Sequence, residues 1–210
     1  MFITLEGPEG SGKSTHARLL VRHLEEMGCR TVLTREPGGT ALGNRLRELL
    51  MRSAEVNLSP RTETLLFCAA RAELVEEVVR PRLAEGYWVV CDRYADSTLA
   101  YQAYGRGLDS AEVQAVIRFA TSGLVPDLTV LLNLPPEEGL RRKGRQGDDR
   151  FEREALSFHQ RVQAGYLALA RAQPERWLVV DARLPAAEVA GVIGAHVDRF
   201  LKIMTGDPIR

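Results

Sequence analysis

Short, almost unbroken apolar runs alternate along this chain with longer stretches in which apolar residues recur every three or four positions. The runs are MFITLE, CRTVLT, YWVVCD, DLTVLLNL and RWLVVDA. Each reads as a strand buried on both faces, as in a parallel sheet covered on each side by helices. The longer stretches carry a helical period. In Ser14–Met27 the apolar positions are Ala17, Leu20, Val21, Leu24 and Met27, and Gly28 follows as a helix stop. Further amphipathic segments are predicted at Thr40–Met51, Pro60–Glu85, Asp109–Thr121, Pro135–Lys143, Glu152–Ala172 and Pro185–Phe200. Within Glu152–Ala172, Phe158, Val162, Gly165 and Leu169 mark one face. Strand–helix alternation of this kind predicts an α/β fold, a doubly wound five-stranded parallel sheet flanked by helices and joined by right-handed crossovers.

Length and composition narrow the class without choosing a function. The 210 residues fit one domain spanning 1–210, with neither an internal repeat nor a low-complexity linker. Lys+Arg and Asp+Glu balance at 28 each, so bulk charge gives no reason to expect nucleic-acid or membrane binding. No apolar stretch approaches the roughly 20 residues of a membrane span, and the N-terminus does not resemble a secretory signal. Cys29, Cys68 and Cys91 sit in apolar runs without metal-ligand spacing, so three reduced, buried thiols in a cytoplasmic protein are expected. One segment departs from this background: GLRRKGRQGDDRFE is dense in charge, punctuated by glycine and lacks an apolar face. It reads either as a solvated loop or as a mobile basic lid.

The first strand runs into GPEGSGKST, in which Gly7, Gly12, Lys13 and Ser14 satisfy G-x-x-x-x-G-K-[ST]. Such a loop between a strand and a helix presents backbone N–H groups and a helix N-terminus to nucleotide phosphates. Lys13 would reach the β- and γ-phosphates, and the Ser14 hydroxyl would ligand Mg²⁺. Glu9 is the odd member, a carboxylate inside an anion-binding turn. A guanine-reading switch would carry N-K-x-D, yet no asparagine here is followed by lysine. Three further stretches resemble an acceptor site. TREPGGT offers Arg35 to a phosphate beside a Pro-Gly-Gly loop; CDRY puts Asp92 and Arg93 at a strand end, one for a Mg²⁺-bound water and one for a phosphate. In FCAAR, Phe67 and Arg71 lie four apart and share a helix face suited to stacking on a base and hydrogen-bonding it, although a core phenylalanine fits the same pattern.

In this order and spacing, GPEGSGKST, TREPGGT, FCAAR, DRYADSTLAYQ and RRKGRQGDDRFE resemble the thymidylate kinases from Phe2 to about Ala182. The resemblance implies a P-loop NTPase fold with an acceptor-binding region at about 35–85 and a short lid at about 140–151. It implies transfer of the γ-phosphoryl group of ATP to dTMP, with Mg²⁺. By similarity Gly7, Pro8, Glu9, Gly10, Ser11, Gly12, Lys13, Ser14 and Thr15 hold ATP, with Arg141 and, near the adenine, Arg183. Phe67 would stack on thymine and Arg71 bond its carbonyl side, while Arg35 and Arg93 grip the acceptor phosphate. Thr98 and Gln102 would line the base and sugar pocket, Tyr101 crowd C2′, and Glu9 face the 3′-hydroxyl side. In one family variant an arginine follows the acidic loop residue; here Gly10 stands there, which implies the bacterial variant with its catalytic arginine in the lid. Arg141, Arg142, Lys143 and Arg145 fit, with Arg145 expected as the finger and Arg150 second. Relatives are homodimers, so one is expected through the sheet-flanking helices. A deoxynucleoside kinase remains a rival; it would use Glu36 or Glu9 as a base toward a hydroxyl acceptor. A non-catalytic nucleotide switch is the other.

Overall fold

The computed structural model describes residues 1–52, 57–144 and 150–205. Its five parallel strands are β1 (Phe2–Glu6), β2 (Thr31–Arg35), β3 (Trp88–Asp92), β4 (Leu128–Asn133) and β5 (Trp177–Asp181), ordered β2-β3-β1-β4-β5. Every predicted strand is present, shifted by a residue or two at its ends. β1 is central, pairing Ile3 with Val90 on one side and with Leu128 on the other. Its five residues are all buried, which is why it reads as a continuous apolar run rather than an alternating one.

Helices cover both faces. α1 (Lys13–Glu26) and α9 (Ala186–Thr205) enclose one face with Ile3, Leu5, Leu20, Leu24, Val130 and Ile193. The predicted Thr40–Met51 segment is α2 (Ala41–Arg52), with the Thr40 side chain accepting a bond from the Gly43 N–H. The Pro60–Glu85 segment is continuous but not uniform: α3 (Pro60–Leu74) passes through a π-helical turn at Val75–Val79 into α4 (Arg80–Ala84). Pro81 has no N–H to give the preceding turn, and the widened turn lies immediately before it. Ser59 caps α3 by accepting from the Thr62 N–H, and Pro60 occupies its first turn.

Beyond β3 the chain forms a short helix, α5 (Ala95–Thr98), and a second π-helical stretch, Leu99–Gly105, before α6 (Ser110–Thr121). These helical turns were not predicted. α7 (Pro136–Lys143) follows β4, a single 3₁₀ turn spans Arg150–Arg153, and α8 (Leu156–Ala172) starts four residues later than the period suggests. On α8, Phe158, Val162 and Gly165 are buried as expected and Leu169 half-buried. Gly165 lets Tyr104 pack directly on the helix backbone: a Cβ there would lie 2.7 Å from the Tyr104 ring. Cys68 and Cys91 are buried, but Cys29 is only partly so, because it lies at the turn between α1 and β2; all three thiols are free. Among the described residues no helix is long and apolar enough to cross a membrane.

Candidate active site

The loop between β1 and α1 wraps the C-terminal edge of the central strand. Gly12 takes a left-handed conformation (φ 87°) and no side chain caps α1, so its first-turn N–H groups are directed at whatever occupies the loop. Lys13 folds back along the loop: Nζ donates to the Pro8 carbonyl at 2.8 Å and to Ser11 Oγ at 3.3 Å. Burial, with Arg93 close by, lowers its pKa to about 8 although Glu9, Asp92 and Glu6 oppose. The Ser14 hydroxyl donates to Asp92 at the end of β3, which sets a hydroxyl and a carboxylate side by side at the phosphate loop. Among the described residues no three His, Cys, Asp or Glu side chains converge as a self-sufficient metal site. A hard cation that keeps waters and takes oxygens from its substrate needs only such a sparse donor set, so the residues present fit Mg²⁺.

A cavity of about 380 Å³ opens at the ends of β1, β2 and β3 and is lined by Glu9, Gly10, Gly12, Lys13, Ser14 and Thr15. Its other walls carry Arg35, Asp92 and Arg93 from the strand ends, Phe67 and Arg71 from α3, and Thr98, Tyr101 and Gln102 from α5 and the π-helical stretch. Gly7, Pro8 and Ser11 form the back of the loop and are not on this wall. Nor are Arg141, Arg150 and Arg183. Arg35 is exposed at the cavity mouth. Phe67 is half-buried, with one side against Phe151 at a ring separation of 6.0 Å.

The charged side chains are mutually restrained. Arg93 adopts φ 71°, unusual for a non-glycine residue, which turns its guanidinium back beneath the loop. Nη1 donates to the Gly7 carbonyl (3.1 Å), Ser97 Oγ (3.2 Å) and Tyr166 Oη (3.1 Å); Nη2 donates to Glu9 Oε1 (2.7 Å) and Tyr101 Oη (3.1 Å). The Tyr101 hydroxyl in turn donates to Glu9 Oε1 at 2.7 Å, and Lys143 Nζ lies 3.6 Å from Glu9 Oε2. Burial alone would raise the Glu9 pKa, but Arg93, Lys13, Lys143 and the Tyr101 hydrogen bond outweigh it and hold the carboxyl well below the usual range. Glu9 thus points toward Arg93, Tyr101 and Lys143.

Arg71 is 1% exposed and donates from Nε (2.8 Å) and Nη2 (2.6 Å) to Glu36 Oε2, itself 3% exposed. Nη2 also reaches the Tyr94 carbonyl (3.1 Å) and Thr98 Oγ1 (2.9 Å). Burial disfavours the guanidinium charge, yet Glu36 reverses that and keeps Arg71 firmly cationic. Gln102 Nε2 donates to Glu63 Oε1 at 2.7 Å. Glu63, one turn before Phe67 on α3, is buried and also receives Arg106 and Arg150. Arg150 is therefore turned toward α3. Arg145 lies outside the described residues.

Several residues of the site went unread in the sequence: Arg47 and Met51 line the cavity from α2, Ser97 from α5 and Phe151 from the 3₁₀ turn. Pro37, of the expected Pro-Gly-Gly loop, and Arg142 and Lys143, of the expected basic segment, line it as well. Arg142 donates to the Ala182 carbonyl (2.8 Å) and to Glu138 (2.7 Å). Arg141 is exposed beside them. Across the sheet edge, Arg183 pairs with Asp181 at 2.7 Å and borders a second hollow with Asn133, Pro135, Gln163 and Val179. The loop also meets α7 backbone to backbone: a Cβ on Gly10 (φ 70°) would come within 2.9 Å of the Gly139 Cα and nearer still to its carbonyl, and a Cβ on Gly139 would collide with the Glu9 carbonyl.

A strand–phosphate loop–helix unit at the central strand, facing an arginine-lined cavity at the strand ends, defines a P-loop phosphotransferase of the α/β class. A family model described as thymidylate kinase matches residues 5–193. A thymidylate kinase of Carboxydothermus hydrogenoformans is 54% identical over 189 residues, covering 90% of this chain and 92% of the relative. That of Desulfosudis oleivorans is 51% identical over 207 residues, with 95% and 97% covered. The crystal structure of thymidylate kinase from Ehrlichia chaffeensis superposes with a TM-score of 0.72 at 34% identity, over 86% of this chain and 91% of that one. The chain belongs to the thymidylate kinase family, whose members phosphorylate dTMP to dTDP.

Proposed function

We propose that this protein transfers the γ-phosphoryl group of ATP in line to the 5′-phosphate of dTMP, without a covalent enzyme intermediate, as a step in dTTP synthesis. The observation that carries the reading is a cavity in which the phosphate loop faces Arg35, Arg93, Phe67 and Arg71 together. The two carboxylates that a hydroxyl acceptor could use as a base, Glu36 or Glu9, are each paired with an arginine, Glu36 with Arg71 and Glu9 with Arg93. An acceptor phosphate is already anionic near neutral pH and needs no such base. This favours a nucleotide over a nucleoside as acceptor.

In this reading the loop residues 7–15 and Lys13 hold the ATP phosphates. Arg93 and Arg35 orient the acceptor phosphate, while Phe67 stacks on the thymine and Arg71 bonds its carbonyl side. Thr98 and Gln102 close the base and sugar pocket, Tyr101 crowds C2′, and Glu9 receives the sugar hydroxyl. Ser14 and Asp92 would hold Mg²⁺, which when bound neutralises and bridges the β- and γ-phosphate oxygens. The adenine would lie toward Arg183 and its hollow, with Arg141 beside the nucleotide. We keep Arg145, in a lid at about 140–151, as the catalytic finger, since Gly10 supplies no charge. The pairing of Arg150 with Glu63 supports ranking Arg150 second. One domain over 1–210 with an acceptor region at 35–85 belongs to the same proposal, as do a cytoplasmic location, supported by three free thiols, and a homodimer. The dimer is supported by α3 and α6, adjacent helices that leave Leu65 and the 89% exposed Phe119 in solvent.

A coupled ADP-release assay with ATP and dTMP, thymidine, dUMP or the ribose form of TMP tests the reaction. Turnover should depend on dTMP and exceed that with thymidine. A preference for thymidine, or ADP release indifferent to dTMP, refutes the proposal. Light scattering at micromolar protein tests the dimer, which a monomer mass would exclude.

A further inference from the structure

Glu6, the last residue of β1, is fully buried directly beneath the phosphate loop, and no step above uses it. Three donors converge on it: the Tyr94 N–H at 2.8 Å on Oε1, and the Ser97 hydroxyl at 2.5 Å and the Tyr166 hydroxyl at 3.1 Å on Oε2. A hydroxyl has one proton to give. With the Ser97 proton given to Glu6 and the Tyr166 proton to Glu6 or to Ser97 Oγ, no hydroxyl proton is left for the guanidinium, and both oxygens turn lone pairs to Arg93 Nη1, at 3.2 and 3.1 Å. The two hydroxyls are themselves 2.8 Å apart. An amide that keeps its oxygen opposite the Tyr94 N–H puts its NH₂ at both hydroxyls, which then lose their acceptor and can turn a proton toward the guanidinium.

We propose that Glu6 is a positioning residue for the acceptor phosphate, seating Arg93 through Ser97 and Tyr166. The proposal rests on the reading of Arg93 as the phosphate ligand of dTMP. It joins three elements distant in sequence, the end of β1, α5 and α8, to one side chain held in a left-handed conformation. Other charged or ionisable groups near Glu6 are Asp96, Lys13 and Cys91. Burial, reinforced by Asp96, raises the Glu6 pKa to about 7 against the pull of Ser97, Arg93 and the Tyr94 N–H. The experiment is therefore run at pH 8, where the carboxylate predominates.

Steady-state KM values for dTMP and for ATP are measured in wild type, Glu6→Gln, Arg93→Ala and the double variant, after each is shown to be folded by circular dichroism. Because hydrogen bonds to charged groups are being lost, Glu6→Gln should raise the dTMP KM about 10-fold and leave the ATP KM within about two-fold. In the Arg93→Ala background the same change should add less than about two-fold, since its route is already gone. Ser97→Ala and Tyr166→Phe, which keep the core filled, should each raise the dTMP KM about three-fold or more and take over the test if Glu6→Gln does not fold. An unchanged dTMP KM in folded Glu6→Gln, full additivity with Arg93→Ala, or unchanged dTMP KM in both Ser97→Ala and Tyr166→Phe overturns the role of Glu6 alone. An unchanged dTMP KM in Arg93→Ala overturns the reading of Arg93 and this proposal with it.

Discussion

Replacing Glu36 with alanine isolates the electrostatics of the cavity wall that Glu36 and Arg71 share. The substitution strands the Arg71 guanidinium, which is 1% exposed and gives two of its donors to the Glu36 carboxylate at 2.8 and 2.6 Å. Removing one partner of a buried pair costs about 3–5 kcal/mol, because the remaining charge stays desolvated without compensation. Against a total stability of about 5–15 kcal/mol this is a large fraction. For a chain of this size each kcal/mol moves the midpoint by about 2–4 °C, so Tm should fall by about 6–20 °C. The Tyr94 carbonyl and Thr98 hydroxyl still accept from Nη2, which argues for the lower half of that range. Calorimetry without nucleotide, at one fixed protein concentration, reads the change free of ligand and assembly effects. Adding Arg71→Met, which removes the stranded charge and keeps the volume, should recover at least half of the loss. A single variant within about 2 °C of wild type would show that Arg71 reaches solvent readily, and the buried-pair argument would fail.

Three other outcomes are expected. Tyr101→Phe loses its bonds with Glu9 and Arg93 and should raise the dTMP KM about 10-fold with ribose discrimination nearly intact, whereas Tyr101→Ala should also admit ribonucleotides; unchanged selectivity in the alanine variant rejects the gate. Arg145→Ala should lower kcat by about 10³ with little change in the dTMP KM, and near-normal turnover moves the finger elsewhere. Lys13 has its pKa depressed to about 8 before nucleotide binds, and ATP phosphates favour its charged form. Uptake of up to about one proton on ATP binding should therefore grow from pH 7 to pH 9, and ATP affinity should decline over that span. The depressed pKa has the opposite sign for folding. Above pH 8 the unfolded chain holds more of this proton than the folded one, so the group's contribution to stability rises with pH toward 10.5. Calorimetry in buffers of different ionisation enthalpy measures the uptake; a flat value between pH 7 and 9, or undiminished uptake in Lys13→Arg, contradicts this account.

What could be read ahead of the structure follows the physics of each element. Strands buried on both faces announce themselves as apolar runs, and α1 and α8 bury one stripe and so keep a period. The chain from Ala95 to Gly105 keeps none, because Leu99, Ala100, Tyr101, Gln102 and Ala103 are all buried and no polar face is left to mark the turns. The phosphate loop, Arg35, Phe67, Arg71 and Arg93 are legible because their chemistry is packed into short motifs. Glu36–Arg71 and Glu6–Ser97–Tyr166 are not, since these partners are separated by 35 to 160 positions and only the fold brings them together. Arg47 is one of several arginines on α2, and nothing in their spacing singles out the one that reaches the cavity.

The glycine pair at Gly10 and Gly139 bears on how such enzymes can change. An arginine at position 10 would have to fit where the loop and α7 already touch main chain to main chain, and no side-chain rotation relieves that collision. A charge at position 10 is thus not open to one substitution: α7 must first retreat. Gaining a side chain at this point of the loop therefore takes a backbone displacement as well as a change of one residue.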